Sequence, residues 1–200
     1  MAAQQLAGEG FKNVINLSGG IKAWDGHQAL GRENQGMHLF GELESVEQIL
    51  TTAYSLEDGL QDFYIDMMQR ATHPEVIKLF RKLGDIEDIH KEKIFEEYTR
   101  LTGSNDRQKF ESGVTADTLE GGMTTDEYLE LFSPDLEKPV EVLSLAMSIE
   151  AQALDLYTRA SRAAKDPDNK AMLDRIAHEE VYHLEQLGIL LDNIVEEGNE

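Results

Sequence analysis

The chain contains no cysteine. That absence excludes disulfides, thiolate zinc sites, iron–sulfur clusters, cysteine nucleophiles and any built-in rubredoxin-type iron site. Positive charge is scarce as well: 18 Lys and Arg stand against 39 Asp and Glu, for a net charge of −21. So acidic a chain has no basic footprint for nucleic acid and is repelled by anionic membranes, whereas it attracts cations. No apolar run reaches the ~18 residues that a membrane span requires. The first residues, MAAQQLAGEGFKN, lack an apolar signal core. The expected location is the cytoplasm. What is present, 40% hydrophobic and 28% charged residues, fits a soluble globular protein. Two hundred residues suit one domain with a small appendage.

Residues 1–36 form that appendage. They are glycine-rich, with a strand-like NVINL followed by SGGIKAW, and GRENQG reads as a linker. Helical periodicity starts near Ser45, which with Gln48 can form a capping box. Val46, Ile49, Leu50, Ala53, Leu56, Leu60, Phe63 and Tyr64 then mark one buried face. Pro74 opens a second helix reaching about Leu101. Residues 103–134 are polar and glycine-containing, with one short helix expected at TTDEYLELF. A third helix is expected from about Pro139 to Ala164. A fourth runs from Pro167 to about Glu197. Four long helices are thus joined by short, long and short connections, in a bundle spanning residues 42–198.

The chain repeats itself. Glu87-x-x-His90 recurs as Glu180-x-x-His183, 93 residues on. With 24 Glu and 6 His, about one such pair is expected by chance. The same gap-free shift, however, also carries Ala53 onto Ala146, Glu57 onto Glu150, Tyr64 onto Tyr157, Pro74 onto Pro167 and Leu83 onto Ile176. Two copies of one helical hairpin are present.

Spacing gives the repeat its chemistry. Glu57 and Glu87 lie about 24 Å and about 20 Å from the turn that joins their helices, level to within one helical turn. His90, three residues from Glu87, shares its face. Glu150, Glu180 and His183 repeat the arrangement. Two such hairpins packed about a pseudo-twofold axis bring four carboxylates and two imidazoles to one depth. Glu57 and Glu150 also occupy positions where the core stripe calls for apolar residues. A lone buried carboxylate costs several kcal/mol, and four together cannot all ionise. Two divalent cations resolve this. Oxygen and nitrogen donors suit iron or manganese, with zinc as a substitute. Glu92 and Glu185 repeat too, but about 140° round their helices from Glu87 and Glu180. They and His178 are expected at the surface.

Residues 45–195 resemble the rubrerythrin-like branch of the ferritin-like superfamily, on the strength of Glu57…Tyr64, Glu87-x-x-His90, Glu150…Tyr157 and Glu180-x-x-His183. The resemblance implies an all-α, ferritin-like four-helix bundle with one long crossover. It further implies a non-haem di-iron centre that reduces hydrogen peroxide or O2, with Glu87 and Glu180 bridging the ions. Typical members carry another Glu one turn after the third-helix ligand, where this chain has Ala153. The remaining six-residue set looks equally like a bacterioferritin ferroxidase centre. Electrons must come from an external donor protein, and a homodimer is the expected assembly. Ferroxidase or iron handling on Fe2+, a di-manganese catalase-like enzyme and a non-catalytic metal-binding module are the alternatives. Tyr64 and Tyr157 are expected to pack the core, with hydrogen bonding to a ligand carboxylate or a redox role as the functional reading. LAGEGFKNVINLSGGIKAW resembles the C-terminal end of rhodanese domains; without a cysteine it implies a truncated remnant with no sulfurtransferase activity.

Overall fold

The computed structural model describes residues 35–40, 45–114 and 118–197. The stretch expected to be a rhodanese-like remnant with a strand lies outside the described residues. Six α-helices follow in order: α1 (Val46–Arg70), α2 (Pro74–Thr102), α3 (Arg107–Glu111), α4 (Thr125–Phe132), α5 (Pro139–Ala163) and α6 (Pro167–Glu197). The fold is an all-α, ferritin-like bundle in which α1/α2 and α5/α6 are the two tight hairpins.

Local chemistry sets the helix boundaries. Ser45 Oγ accepts from the Gln48 amide at 3.3 Å, and the Gln48 side chain accepts from the Ser45 amide at 3.1 Å. This reciprocal cap satisfies two amides that have no partner inside the helix. Proline opens α2, α5 and α6, where a missing N–H costs nothing. Gly103, at φ 71°, ends α2 in a left-handed turn. His73 stands at the N-cap of α2 without a side-chain cap. Glu137, arriving from the crossover, takes over that task. Its carboxylate accepts from the Thr72 amide at 2.9 Å and the His73 amide at 2.7 Å, favourably placed at a helix N-terminus.

The connection from α2 to α5 holds more structure than the sequence suggested. Besides α4 it contains α3 and a 3-10 turn at Glu120–Gly122. Phe110 of α3 is buried against Tyr54, Phe95 and Tyr98, and so fastens the crossover to both helices of the first hairpin. The 3-10 turn packs against α1 and α5. There the backbones approach closely. A Cβ on Gly59 of α1 would lie 2.4 Å from the Thr118 carbonyl oxygen. A Cβ on Gly121 would lie 2.4 Å from Gln152 Cβ, and its φ of 77° favours glycine in any case. Leu119 and Met123, on either side of the turn, are buried. The crossover therefore fills the gap between α1 and α5.

The core is divided in two. One apolar cluster includes Leu60, Phe63, Tyr64, Phe80, Leu83, Ile149 and Leu187. The other includes Leu50, Ala53, Leu56, Tyr98, Leu156, Tyr157 and Leu173. Each draws on all four long helices. Between them, in register on every helix, lies a layer of buried polar side chains.

Candidate metal centre

That layer consists of Glu57 from α1, Glu87 and His90 from α2, Glu150 from α5, and Glu180 and His183 from α6. None is more than 7% exposed. The structure brings together all six residues that the spacing singled out. The internal repeat is visible in their distances. His90 Nδ1 lies 2.7 Å from Glu87 Oε2 and 3.6 Å from Glu57 Oε2. His183 Nδ1 lies 3.1 Å from Glu180 Oε2 and 3.4 Å from Glu150 Oε2. The two rings stack with centroids 3.6 Å apart and planes within 5°, close to the pseudo-twofold relation.

The hairpins share donors rather than forming separate sites. One set of atoms close enough to share a cation comes from Glu57, His90 and His183; the other comes from Glu150, Glu180 and His183. His183 of the second hairpin thus belongs to both. Glu87 joins through its 2.7 Å approach to His90.

The electrostatics of the protein alone are unfavourable. Burial pushes the carboxyls of Glu87 and Glu180 well above the usual range, and the neighbouring carboxylates push them the same way. Burial would lower His90, but Glu57 and Glu87 overcome it and drive the imidazole up to about 10. Burial would raise Glu57; the positive charge on His90 overcomes it, and its carboxyl falls below the usual range. Protons therefore carry the balancing positive charge. Oε2 of Glu57, Glu87 and Glu150 accept no well-aligned hydrogen bond and have the imidazoles of His90 and His183 beside them at 2.7–3.6 Å. Buried acceptors so poorly satisfied are costly. No lysine or arginine offsets them. Lys91 is the one buried cationic side chain of that kind among the described residues, and it turns to Asp58 at 2.8 Å and Gln61 at 2.5 Å. The donor set and its unmet acceptors fit two divalent cations.

Lys91 had no signal in the sequence reading. Its counterpart in the repeat is Leu184, and the counterparts of Asp58 and Gln61 are Ala151 and Leu154. One hairpin is pinned by a polar bridge that the other hairpin's residues cannot form. Tyr64 and Tyr157, at 1% and 0% exposure, sit in opposite apolar clusters. His178, Glu92 and Glu185 are exposed. His38 and His73 are exposed and away from the layer; His27 lies outside the described residues.

The layer is reached from the α2–α6 side. Between α2 and α6 a cavity of about 390 Å³ reaches Glu87, His90, Glu150 and His183 at its floor. The equivalent gap between α1 and α5 is the one the crossover fills.

A bundle with one long crossover and a buried Glu/His layer, two glutamates from single positions and two Glu-x-x-His pairs, defines the ferritin-like carboxylate class. The Rubrerythrin family model matches residues 48–191, and the chain belongs to that family. No curated protein and no solved structure matches it. No helix among the described residues is long and apolar enough to cross a membrane.

Proposed function

We propose that the chain is a cytoplasmic non-haem di-iron oxidoreductase that reduces hydrogen peroxide, or O2, with electrons from an external donor protein. The observation that carries this reading is the buried layer itself: four carboxyls and two imidazoles with, among the described residues, no lysine or arginine to balance them. Glu57, Glu87, His90, Glu150, Glu180 and His183 would hold the two ions. Two ferrous ions, when bound, supply one electron each for cleavage of the O–O bond. Reduction of H2O2 to two waters takes those two electrons and two protons.

The chain's residues do the rest. The carboxyls of Glu87 and Glu180 give up protons as cations bind, so loading is coupled to proton release. The four carboxylates balance two divalent charges. The crossover keeps water from the α1–α5 side, and the α2–α6 cavity admits substrate. These 200 residues hold no cysteine and therefore no rubredoxin-type relay, and re-reduction is accordingly assigned to an external donor. Family membership supports iron, although the same donors would accept manganese or zinc.

Iron handling is the second reading. A net charge of −21 gathers Fe2+, and Ala153 replaces the further carboxylate of typical family members. Anaerobic stopped-flow oxidation of the iron-loaded chain, beside metal analysis, separates the two. Two irons per chain oxidised much faster by H2O2 than by O2 support the peroxidase. Rapid O2 oxidation with ferric ion leaving the site supports iron handling. Fewer than about one metal per chain defeats both.

A further inference from the structure

The α2–α6 cavity is larger and more apolar than hydrogen peroxide requires. Its walls are Leu83, Ile86, Ile89, Tyr182, Leu187 and Leu190. Lys82 and Lys93 line its rim; the Lys93 ammonium pairs with Glu179 at 3.2 Å and lies over the Tyr182 ring at 5.7 Å. Their carbon stems add to the apolar wall. Liquid water occupies roughly 30 Å³ per molecule, and hydrogen peroxide is of comparable size. A cavity of about 390 Å³ falls instead among sites for small organic molecules.

The pseudo-twofold sharpens the contrast. The two hairpins leave two equivalent gaps beside the polar layer. The α1–α5 gap is filled by the chain's own apolar segment, with Leu119 and Met123 buried. The α2–α6 gap has the same apolar character but is filled by no described residue. Ile89 and Tyr182 at its mouth are 58% and 50% exposed. An occupant that satisfies both wall and floor needs an aliphatic body and a polar oxygen end directed at the carboxylates and imidazoles.

We infer that the cavity binds an alkyl hydroperoxide, R–O–O–H, with its aliphatic chain against Ile86, Ile89, Leu187 and Leu190 and its peroxide end toward Glu87, His90, Glu150 and His183. This deepens the proposed function and rests on it for turnover, though not for binding. The reaction balances as R–O–O–H plus two electrons and two protons giving R–OH and water. The O–O bond breaks, the ferrous pair is the reductant, and solvent supplies the protons.

Because the product is an alcohol, n-butanol, n-hexanol and n-octanol serve as binding probes. Titration calorimetry on the full, anaerobic, ferrous-loaded chain is expected to give one site per chain, with Kd falling roughly fourfold for each methylene buried. Ile89→Trp, which fills the mouth, is expected to remove that dependence. Should it fail to fold, the wild-type series still decides. In stopped flow, alkyl hydroperoxides of the same lengths are expected to oxidise the ferrous chain with rate constants that rise along the series. A Kd independent of chain length overturns the inference; if H2O2 still oxidises the chain rapidly, the peroxidase reading survives alone. Length-dependent alcohol binding without oxidation by any peroxide overturns the peroxidase reading and, with it, the hydroperoxide as substrate. A dimer in solution that Ile89→Lys dissociates, with no alcohol binding in either form, shows a second copy on this face and overturns the inference.

Discussion

Replacing Glu180 with leucine should make the metal-free protein more stable. The Glu180 carboxyl is 1% exposed, and burial together with the charges of Glu150 and Glu57 holds it well above its ordinary range. The unfolded chain releases this proton near pH 4.5. A folded state that keeps this proton above pH 4.5 is less stable for it, and replacing buried ionic groups by hydrophobic residues of similar volume stabilises by about 1–4 kcal/mol. The sign is fixed: the folded state binds more protons than the unfolded one, so this group's cost grows as pH rises above 4.5. Leucine removes that cost and adds apolar surface to a site flanked by two apolar clusters. For a chain of this size each kcal/mol gained corresponds to roughly 2–4 °C in Tm. At pH 5, close to the ordinary carboxyl value, folded and unfolded states differ less in bound protons, so most of the gain should vanish. Differential scanning calorimetry of metal-free wild type and Glu180→Leu at both pH values reads the effect, with metal analysis expected to show weakened loading. A lower Tm for the metal-free variant would refute the reasoning, because it would make Glu180 a structural ion-pair partner rather than a residue kept at the expense of stability.

Three further outcomes follow from the same electrostatics and packing. His90, raised to about 10, contributes stability to the metal-free chain that is fully present below its ordinary pKa of 6.5 and is lost as pH rises to about 10; chemical denaturation across that window should show the decline, and His90→Gln should flatten it. Loading with Fe2+ under argon should raise the unfolding free energy by about 2.7 kcal/mol per bound ion at a hundredfold excess over Kd and should release protons measurable in a weakly buffered titration. Gly59→Ala should destabilise loaded and metal-free protein alike by about 1–3 kcal/mol, because the new methyl meets the Thr118 carbonyl and not a movable side chain.

The four long helices were legible because their signals are strong and local. The capping box at Ser45, the prolines at 74, 139 and 167 and the 3-4 apolar spacing all act within one helix. The convergence of the six Glu and His residues was legible for a different reason. The duplication fixes their relative heights, and a carboxylate on an apolar stripe announces itself. The crossover was not legible to the same degree. α3 is five residues long and is held by Phe110 against rings from two other helices, an interaction between distant positions that no short periodicity encodes. Nor did the repeat disclose Lys91, since its contact with Asp58 exists in one hairpin and has no counterpart in the other. The sharing of His183 between both donor sets likewise depends on how the hairpins meet, not on either hairpin alone.

The division of the core bears on how the protein tolerates oxidation and reduction. Each long helix passes unbroken from one apolar cluster, through the Glu/His layer, into the other. A change of charge in the layer therefore acts on side chains whose backbones are gripped above and below, like rungs between two rigid rails. The helices cannot splay at that height without opening one cluster or the other. Under the proposed function, the electrostatic stress of each change of oxidation state would be confined to side-chain adjustments and proton movements within the layer, and the bundle could repeat the cycle without loosening.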